Sequence, residues 1–329
     1  MKIRVMIIDF EEPIRQGLSS VLESKGGIEV VCKLGGCGGA AEMAGWISPD
    51  VVMAGLRTLE EDETGFFNSL LKMSIPLIIT LEDRQDQLNQ AFGFLEKGAV
   101  DYLILPGEKN GTIEKVKTAA LARPIDLAER LKPIKLTFPH AGSLRKVVVI
   151  ASSTGGPQAL RAIIPKLPQG LPAAVIVVQH MGQGFTTLLA ERLDKISAIS
   201  VEEAQDGRII KGGCAYVAPY GRHLGVEKSR IALVAGQPIN GVMPSADYTM
   251  ASVAREYSAD SVAVVLTGMG RDGGKGAGDI KSAGGRVIVQ DRESSVIFGM
   301  PQAALKTGCV DKVVELSGIA RSLAKEVYV

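Results

Sequence analysis

The stretch from Lys146 to Pro157, with the sequence KVVVIASSTGGP, constrains the fold of this 329-residue chain most strongly. Its β-branched run at 147–150 predicts a buried strand. The run ends in small residues, and Pro157, which suits the first turn of a helix, opens an apolar periodic segment. The sequence therefore predicts a strand that passes through a tight turn into a helix, as in α/β proteins.

Ser152, Ser153 and Thr154 lie on this predicted turn, in front of a helix N-terminus. Free N–H groups and the helix dipole make such a place suitable for anions and for nucleophiles. The segment ASSTG differs by one residue, Ala151 for glycine, from the G-x-S-x-G pattern of a nucleophile elbow. A serine-rich turn or a helix cap would also explain these residues, so the stretch alone leaves both interpretations open.

The first 122 residues alternate strand and helix patterns in five units. Strands are predicted at 3–8, 28–32, 51–54, 77–80 and 102–105, and helices at 13–24, 40–47, 66–73, 87–97 and 111–122. Five βα units of this length predict a doubly wound parallel sheet. Residues 123–144 contain three prolines and, apart from a short helical pattern at 127–131, no clear period, which predicts a linker.

A second α/β series, predicted to be Rossmann-like, occupies residues 145–329. Strands are predicted at 147–150, 173–179, 261–267 and 286–290, and helices at 159–167, 185–196, 246–257, 275–283, 301–307 and 317–327. Between them, the glycine-containing segments 208–219 and 223–234 predict a small β insertion of short strands around turns. The chain is therefore predicted to hold two doubly wound domains, at 1–122 and 145–329.

Charge is distributed unevenly between the two halves, although the whole chain carries only +1. Residues 1–122 hold 12 lysines and arginines against 18 acidic residues, a net charge of −6, and the remainder holds 25 against 18, a net charge of +7. This asymmetry predicts an acidic and a basic module that attract each other. The basic excess is diffuse and has few aromatic residues around it, which argues against nucleic-acid binding.

Other features place the chain among cytoplasmic proteins. It shows no secretory h-region and no long apolar span, so no membrane insertion is expected. Four cysteines, at 32, 37, 214 and 309, are scattered without metal-ligand spacing. We therefore expect reduced thiols and no metal site.

Ser153, His180 and Asp272 each follow the carboxyl end of a predicted strand. In an open parallel sheet these ends gather at one edge, where ligands bind. A hydroxyl needs a base within hydrogen-bond reach and a third group that orients the base, and serine, histidine and aspartate are a common set. Of the two other histidines, His140 lies in the linker and His223 in the insertion, so His180 is the expected base.

Residues 268–273, GMGRDG, allow a different hypothesis. They fit G-x-G-x-x-G, follow a strand and open a helix, and Asp291 lies near the offset of a ribose-binding acid. This dinucleotide hypothesis leaves few strands to complete a cofactor domain and does not explain the turn at Ser153. The glycines are also explained by a sharp turn alone.

The first half resembles response-regulator receiver domains in the spacing of its segments IID (7–9), PDVVM (49–53) and GAVDYLILP (98–106). Asp9 matches the first metal-site acid of that family. Gly55, however, stands where the phosphoacceptor aspartate is expected, and Leu105 where the lysine is expected. The resemblance therefore implies a pseudo-receiver without phosphoacceptor, because glycine cannot take a phosphoryl group.

Residues from about 145 to the end resemble the chemotaxis protein-glutamate methylesterases, the CheB family, in six motifs that occur in the family's order. They are STGGP (153–157), QHM (179–181), YVAP (216–219) with His223-Leu224, PSAD (244–247), LTGMGRDG (266–273) and FGMP (298–301). A receiver followed by the esterase domain is also the architecture of that family. Several motifs in register make the resemblance more specific than any single motif.

The resemblance implies a role for each matching residue. Ser153 is the nucleophile, His180 the general base and acid, and Asp272 the residue that orients the histidine. The backbone N–H of Met269 is the oxyanion donor. Thr154, Gly155 and Gly156 shape the pocket, and no metal or cofactor is implied.

The implied reaction is hydrolysis of glutamate γ-methyl esters on methyl-accepting chemoreceptors or a related receptor array, with deamidation of receptor glutamines as a further activity. Gly55 and Leu105 argue against control by phosphorylation. The esterase is then either constitutively open or controlled by a regulatory protein that binds the acidic N-terminal domain. Two alternatives remain open from the residues: a catalytically degenerate receptor-binding adaptor and the dinucleotide-binding module.

Overall fold

A computed structural model describes residues 2–62, 65–107, 109–124 and 144–328. The chain divides near residue 128 into two compact units. Most of the predicted linker at 123–144, with its helical pattern at 127–131, lies outside the described residues, so the predicted domain limits stay predictions. Among the described helices, none is long and apolar enough to cross a membrane.

The N-terminal unit is built on a five-stranded sheet with the order β2-β1-β3-β4-β5, in which every pair of neighbours is parallel. Its strands are β1 (Ile3–Ile8), β2 (Ile28–Leu34), β3 (Val51–Gly55), β4 (Leu77–Glu82) and β5 (Asp101–Leu105). Its helices are α1 (Glu12–Glu23), α2 (Ala40–Ile47), α3 (Leu56–Glu60), α4 (Phe66–Lys72), α5 (Gln85–Lys97) and α6 (Lys109–Ala119). The predicted doubly wound sheet is confirmed, with α3 as an additional short helix.

The C-terminal unit has a seven-stranded, wholly parallel sheet with the order β14-β13-β12-β6-β7-β9-β8. Its strands are β6 (Lys146–Ser152), β7 (Ala173–Gln179), β8 (Ser200–Glu203), β9 (Cys214–Val217), β12 (Ser261–Val265), β13 (Arg286–Gln290) and β14 (Lys312–Val314). Its helices are α7 (Gly156–Ile163), α8 (Phe185–Ile196), α9 (Ala246–Tyr257), α10 (Gly274–Ser282), α11 (Gly299–Lys306) and α12 (Leu316–Tyr328).

The predicted β insertion is smaller than the sequence suggested. Among the described residues, the hairpin of β10 (His223–Glu227) and β11 (Arg230–Val234) forms a separate two-stranded sheet, and an isolated bridge joins Ile209 to Arg230. Strand β9 lies in the segment 208–219, which was expected in the insertion, but it pairs with β7 in the main sheet. A four-residue run between glycine and proline has the same local pattern in a hairpin and in a short parallel strand, so only pairing with β7 distinguishes them.

The order of strands determines where a site can form. From β6 the sheet grows to β7 on one side and to β12 on the other, so the carboxyl ends of β6 and β12 form a topological switch point. In the N-terminal unit the corresponding switch point lies between β1 and β3. Doubly wound sheets bind ligands in the crevice at this place, because the connections leave in opposite directions and open a gap.

Candidate active site

Main-chain hydrogen bonds hold three loops together at the switch point of the C-terminal sheet. Ser152 pairs with Gln179 in the β6–β7 register, and the His180 amide donates to the Ser152 carbonyl oxygen at 3.0 Å. On the other side, the Ser153 amide donates to the Thr267 carbonyl oxygen at 3.1 Å. The residues after β6, β7 and β12 therefore meet at one edge, as their strand-end positions in the sequence predict.

His180 and Asp272 form a buried hydrogen-bonded pair. The imidazole Nε2 lies 2.9 Å from Asp272 Oδ2, and the two side chains are 11% and 3% exposed. With Nε2–H donating to the carboxylate, Nδ1 is the ring nitrogen left to exchange a proton with a reacting group. The imidazole of His180 and the hydroxyl of Ser153, both among the described residues, are not joined by a hydrogen bond.

Three further donors hold the carboxylate of Asp272 at the N-terminus of α9. Its oxygens accept from the Ser245 hydroxyl at 2.7 Å, the Ala246 amide at 2.6 Å and the Asp247 amide at 3.1 Å. Burial alone would raise the pKa of Asp272, but the hydrogen bond and charge interaction with His180, together with the Ser245 and Ala246 donors, hold it below its ordinary value. Asp272 is thus an ionised, orientationally fixed acceptor for the imidazole.

A second buried carboxylate, Asp247, caps the neighbouring helix in return. Its oxygens accept from the Gly276 amide in the first turn of α10 at 2.7 Å and from the Asn240 side-chain amide at 2.8 Å. Burial raises the pKa of Asp247, and the nearby charge of Asp272 raises it further. Asp272 thus binds the N-terminus of α9, which contains Asp247, and Asp247 binds the N-terminus of α10, which follows Asp272. The two interactions together fix α9 against α10.

The sequence indicates no role for Ser245 or Asp247 beyond their place in the motif PSAD. Ser245 is the N-cap of α9, and its hydroxyl accepts from the Tyr248 amide while donating to Asp272. A serine immediately before a helical pattern is a recognisable cap signal. Its second bond, to a residue 27 positions away, is visible only in the folded chain.

Burial distinguishes the two neighbouring serines. Ser152 is 0% exposed, and its hydroxyl donates to Gln179 Oε1 at 2.6 Å. The Gln179 amide group donates in turn to the carbonyl oxygens of Ser153 and His180 at 2.9 and 3.0 Å. Ser153 is only partly buried, and no hydrogen bond from its hydroxyl to another described residue is present. The hydroxyl of Ser153 is therefore the one available at the crevice.

Thr154, Gly155 and Gly156, the predicted pocket residues, form the tight turn into α7. Gly155 adopts a left-handed conformation with φ of +78°, and a Cβ there would lie 2.7 Å from Val296. Any larger residue would be strained and would also collide with that neighbour. The Thr154 carbonyl oxygen accepts from the Thr267 hydroxyl at 2.9 Å, which ties the turn to the loop after β12. Pro157 lies in the first turn of α7, as predicted.

The loop after β12 passes directly beside Ser153. A Cβ on Gly268 would lie 2.7 Å from the Ser153 Cβ and would collide with the Met300 sulfur. The next residue, Met269, is 44% exposed, and no hydrogen bond from its amide to a described residue is present. An amide that is free beside Ser153 has the chemistry required of an oxyanion donor.

The residues of the dinucleotide hypothesis have local structural roles. Gly268 packs against Ser153, and Gly273 is the left-handed N-cap of α10. Asp291, the hypothetical ribose acid, accepts from the Ser294 amide at 3.1 Å and from the Ser294 hydroxyl. No feature of this segment therefore favours a cofactor.

The switch point of the N-terminal sheet has a different composition. Gly55 ends β3, and a Cβ there would collide with Asp9 Oδ2. Burial raises the pKa of Asp9, which accepts one hydrogen bond from the Glu11 amide at 2.9 Å through Oδ1. Within the described ranges, no group of three or more histidines, cysteines and acids is placed to hold a metal ion. Glycine and leucine at 55 and 105 have no group that could take or pair with a phosphoryl group.

The model of the CheB methylesterase family matches residues 148–323. A protein-glutamate methylesterase/protein-glutamine glutaminase from Syntrophomonas wolfei is 35% identical over 97% of this chain and 98% of its own length. One from Bacillus subtilis is 33% identical over 98% and 97%. The CheB methylesterase catalytic domain of Thermotoga maritima is 45% identical, with a TM-score of 0.53, and covers 55% of this chain and 97% of its own. The similarity to the two relatives extends over nearly the full length, and the chain belongs to the CheB methylesterase family.

Proposed function

We propose that this chain is a protein-glutamate methylesterase that hydrolyses glutamate γ-methyl esters of methyl-accepting chemoreceptors or of a related receptor array. The single observation that carries the assignment of residues is the buried His180–Asp272 hydrogen bond beside the accessible hydroxyl of Ser153. The names of the relatives in Syntrophomonas and Bacillus support esters of protein glutamates as the substrate class and add deamidation of protein glutamines as a second activity.

In the proposed reaction, Ser153 Oγ attacks the ester carbonyl carbon while its proton passes to Nδ1 of His180. The developing oxyanion accepts from the Met269 amide. Collapse of the tetrahedral intermediate breaks the bond to the methoxy group, which leaves as methanol with the proton from His180. Water then attacks the acyl-enzyme with His180 as base, which releases glutamate and restores Ser153.

The ionised carboxylate of Asp272 stabilises the imidazolium that forms in both steps. Its depressed pKa keeps it charged at neutral pH, and its bonds to α9 keep it from rotating away. A fixed carboxylate also determines which ring nitrogen carries the proton in the resting enzyme.

Methanol release from methylated receptor tests the proposal. Ser153→Ala should lower the rate by roughly 10⁴-fold or more, since removal of a serine nucleophile has an effect of this order. Ser152→Ala is the matched control, because its hydroxyl is buried against Gln179 and should affect the rate far less. Equal rates for the wild type and Ser153→Ala would refute the assignment. Activity absent from both would favour a receptor-binding adaptor.

We further propose that the enzyme acts in the cytoplasm and that aspartyl phosphorylation does not control it. A regulatory protein at the acidic N-terminal domain, or constitutive activity, would replace that control. Incubation with acetyl phosphate and Mg²⁺ should leave the mass and the rate of methanol release unchanged, since residue 55 is glycine. A stable phospho-aspartyl adduct together with raised activity would contradict this.

A further inference from the structure

A cavity of about 800 Å³ opens at the switch point of the N-terminal sheet, beside Gly55. It lies between the ends of β1, β3, β4 and β5 and the face of α1 that carries Gly17, Leu18 and Val21. We call it the edge cavity. Its volume lies in the range of roughly 300–1,000 Å³ found for small-molecule sites.

The residues that open the edge cavity are small or apolar. Gly17 interrupts α1 on the cavity wall, and a Cβ built there meets nothing within 4 Å. Glycine inside a helix is less stable than alanine by about 1 kcal/mol, so this position leaves space at a cost to the helix. Leu56 and Leu105 add apolar surface to the lining. The cavity therefore has room and an apolar wall for the body of an organic molecule.

One buried carboxylate, that of Asp9, lines this space and has a hydrogen-bond donor on only one of its two oxygens. Asp9 is 8% exposed, and its Oδ1 accepts from Glu11, whereas Oδ2 accepts from no described residue. The nearby Arg15 guanidinium does not pair with this carboxylate, because it donates to the carbonyl oxygens of Asp9 and Phe10. A buried carboxylate oxygen without a donor is unfavourable, so Oδ2 provides a place for a donor from a ligand.

The charges of the lining determine the sign of that ligand. Asp9, Glu11, Glu61 and Glu82 line the edge cavity, against a single base, Arg57. Glu82 is partly balanced by exposed Arg84 at 3.9 Å, but Glu11 and Glu61 lie at the rim without an ion pair to a described residue. Phe10, 45% exposed at the rim, offers a ring face that attracts cations. Although the Arg15 and Arg57 guanidinium groups also act on Asp9, the lining carries four carboxylates against one guanidinium, and this excess of negative charge disfavours an anion.

We propose that the edge cavity binds a small organic cation, with its ammonium group on Asp9 Oδ2 and its apolar body against α1. A hard metal ion fits less well, since such ions require several oxygen ligands and the described residues group no three acids for one. The N-terminal domain thereby binds a small ligand at its switch point, where Gly55 stands in place of the expected phosphoacceptor. Binding of the cation does not depend on the esterase activity.

Isothermal titration of the full chain tests it with phenethylamine at millimolar concentration, against isosteric 2-phenylethanol, 3-phenylpropionate and Mg²⁺ alone. The amine should bind at one site, and the alcohol at least about tenfold more weakly, since a charged hydrogen bond is lost. Asp9→Asn should weaken binding of the amine by at least about tenfold, and Glu42→Gln, which removes an acid outside the lining, should not.

Gly17→Leu provides a variant that should fold well, because leucine favours a helix and its Cβ meets no neighbour. It should fill the cavity and abolish binding, while Gly93→Leu in α5, also without a neighbour within 4 Å, should bind as the wild type does. The proposal is overturned if the amine does not bind, if alcohol or propionate binds equally well, or if Gly17→Leu leaves the affinity unchanged. Heat from Mg²⁺ alone that depends on Asp9 but not on Gly17 would identify a metal site instead.

Discussion

The two sheets share their parallel, doubly wound plan, yet their switch points contain opposite arrangements of polar groups. In the C-terminal unit, Asp272 accepts four hydrogen bonds from two distant segments of chain, at 180 and at 245–247. In the N-terminal unit, Asp9 accepts one, from a residue two positions away. The same topology thus supports a fully bonded site and a cavity. The fold provides the position, and the side chains at the strand ends determine what it does.

The pKa values of Asp272 and Asp9 shift in opposite directions, in line with the difference in their hydrogen bonding. Burial acts on both carboxyl groups, but His180, Ser245 and Ala246 overcome it at Asp272, whereas at Asp9 burial prevails and the pKa rises. Asp272 therefore stabilises the fold in its charged form, and Asp9 destabilises it. Variants of these residues and their neighbours test the comparison, beginning with the largest expected effect.

Asp272→Asn should lower kcat for methyl ester hydrolysis by roughly 10³–10⁴-fold, because the amide cannot stabilise the imidazolium and can hold the ring in the wrong tautomer. Methanol release under saturating substrate measures the effect. Asp260→Asn, an exposed acid of the same unit, should leave kcat unchanged. A loss of less than about tenfold would mean that the hydrogen-bonded network has no part in catalysis.

Gly268→Ala should lower kcat by roughly 10²-fold, because the new Cβ would lie 2.7 Å from that of Ser153 and shift the nucleophile or the Met269 amide. The same assay measures it. Gly278→Ala in α10 is the control, since a Cβ there meets nothing within 4 Å, and alanine should stabilise that helix. If both variants retain full activity, the close approach of the two loops is not required for catalysis.

Ser245→Ala should lower kcat by about tenfold and destabilise the C-terminal unit by about 1 kcal/mol, because it removes both a helix cap and a donor to Asp272. Ser252→Ala is matched to it in the same helix, where its hydroxyl bonds to Val226 at 2.9 and 3.0 Å. The control should cost similar stability in urea denaturation while kcat is retained. Equal loss of kcat in the two variants would indicate a general loosening of α9.

Asp9→Asn should stabilise the N-terminal unit at pH 7 by about 1 kcal/mol or less. Since the folded pKa of Asp9 lies above its ordinary 3.8, the wild type loses stability as the pH rises from 3.8 through the folded pKa. The gain from asparagine should therefore vanish below 3.8. Hydrogen exchange of the β1 and β3 amides measures it. Destabilisation at pH 7 would show that Asp9 has favourable partners in the free protein.

Asp272→Asn should show the opposite pH dependence in exchange of the β6 and β12 amides. The folded pKa of Asp272 lies below 3.8, so its stabilising contribution is complete above 3.8 and is lost as the pH falls through the folded pKa. The cost of the substitution should therefore shrink in acid. A cost that is independent of pH would assign the effect to packing.

Much of the fold was predictable because local sequence patterns mark most of its strands and helices. Continuous β-branched runs identified the central strands, and Pro157 identified the start of α7. Strands β8 and β14 were missed, since three or four residues of mixed burial carry too little pattern. Strand β9 was expected in the β insertion rather than in the main sheet, because its pairing partner β7 is distant in sequence.

The candidate site was predictable in its strand-end residues and not in their support. The sequence alone determined that Ser153, His180 and Asp272 follow strands of one α/β domain, and that residues 55 and 105 lack phosphoryl chemistry. Only the tertiary structure decided that the Ser152 hydroxyl bonds to Gln179 and that the Ser245 hydroxyl bonds to Asp272. It also decided that the N-terminal switch point contains a cavity. The physical reason is that hydrogen-bond partners and cavities depend on which distant segments the sheet order brings together. The ends of strands, in contrast, are determined by the local pattern of hydrophobic residues.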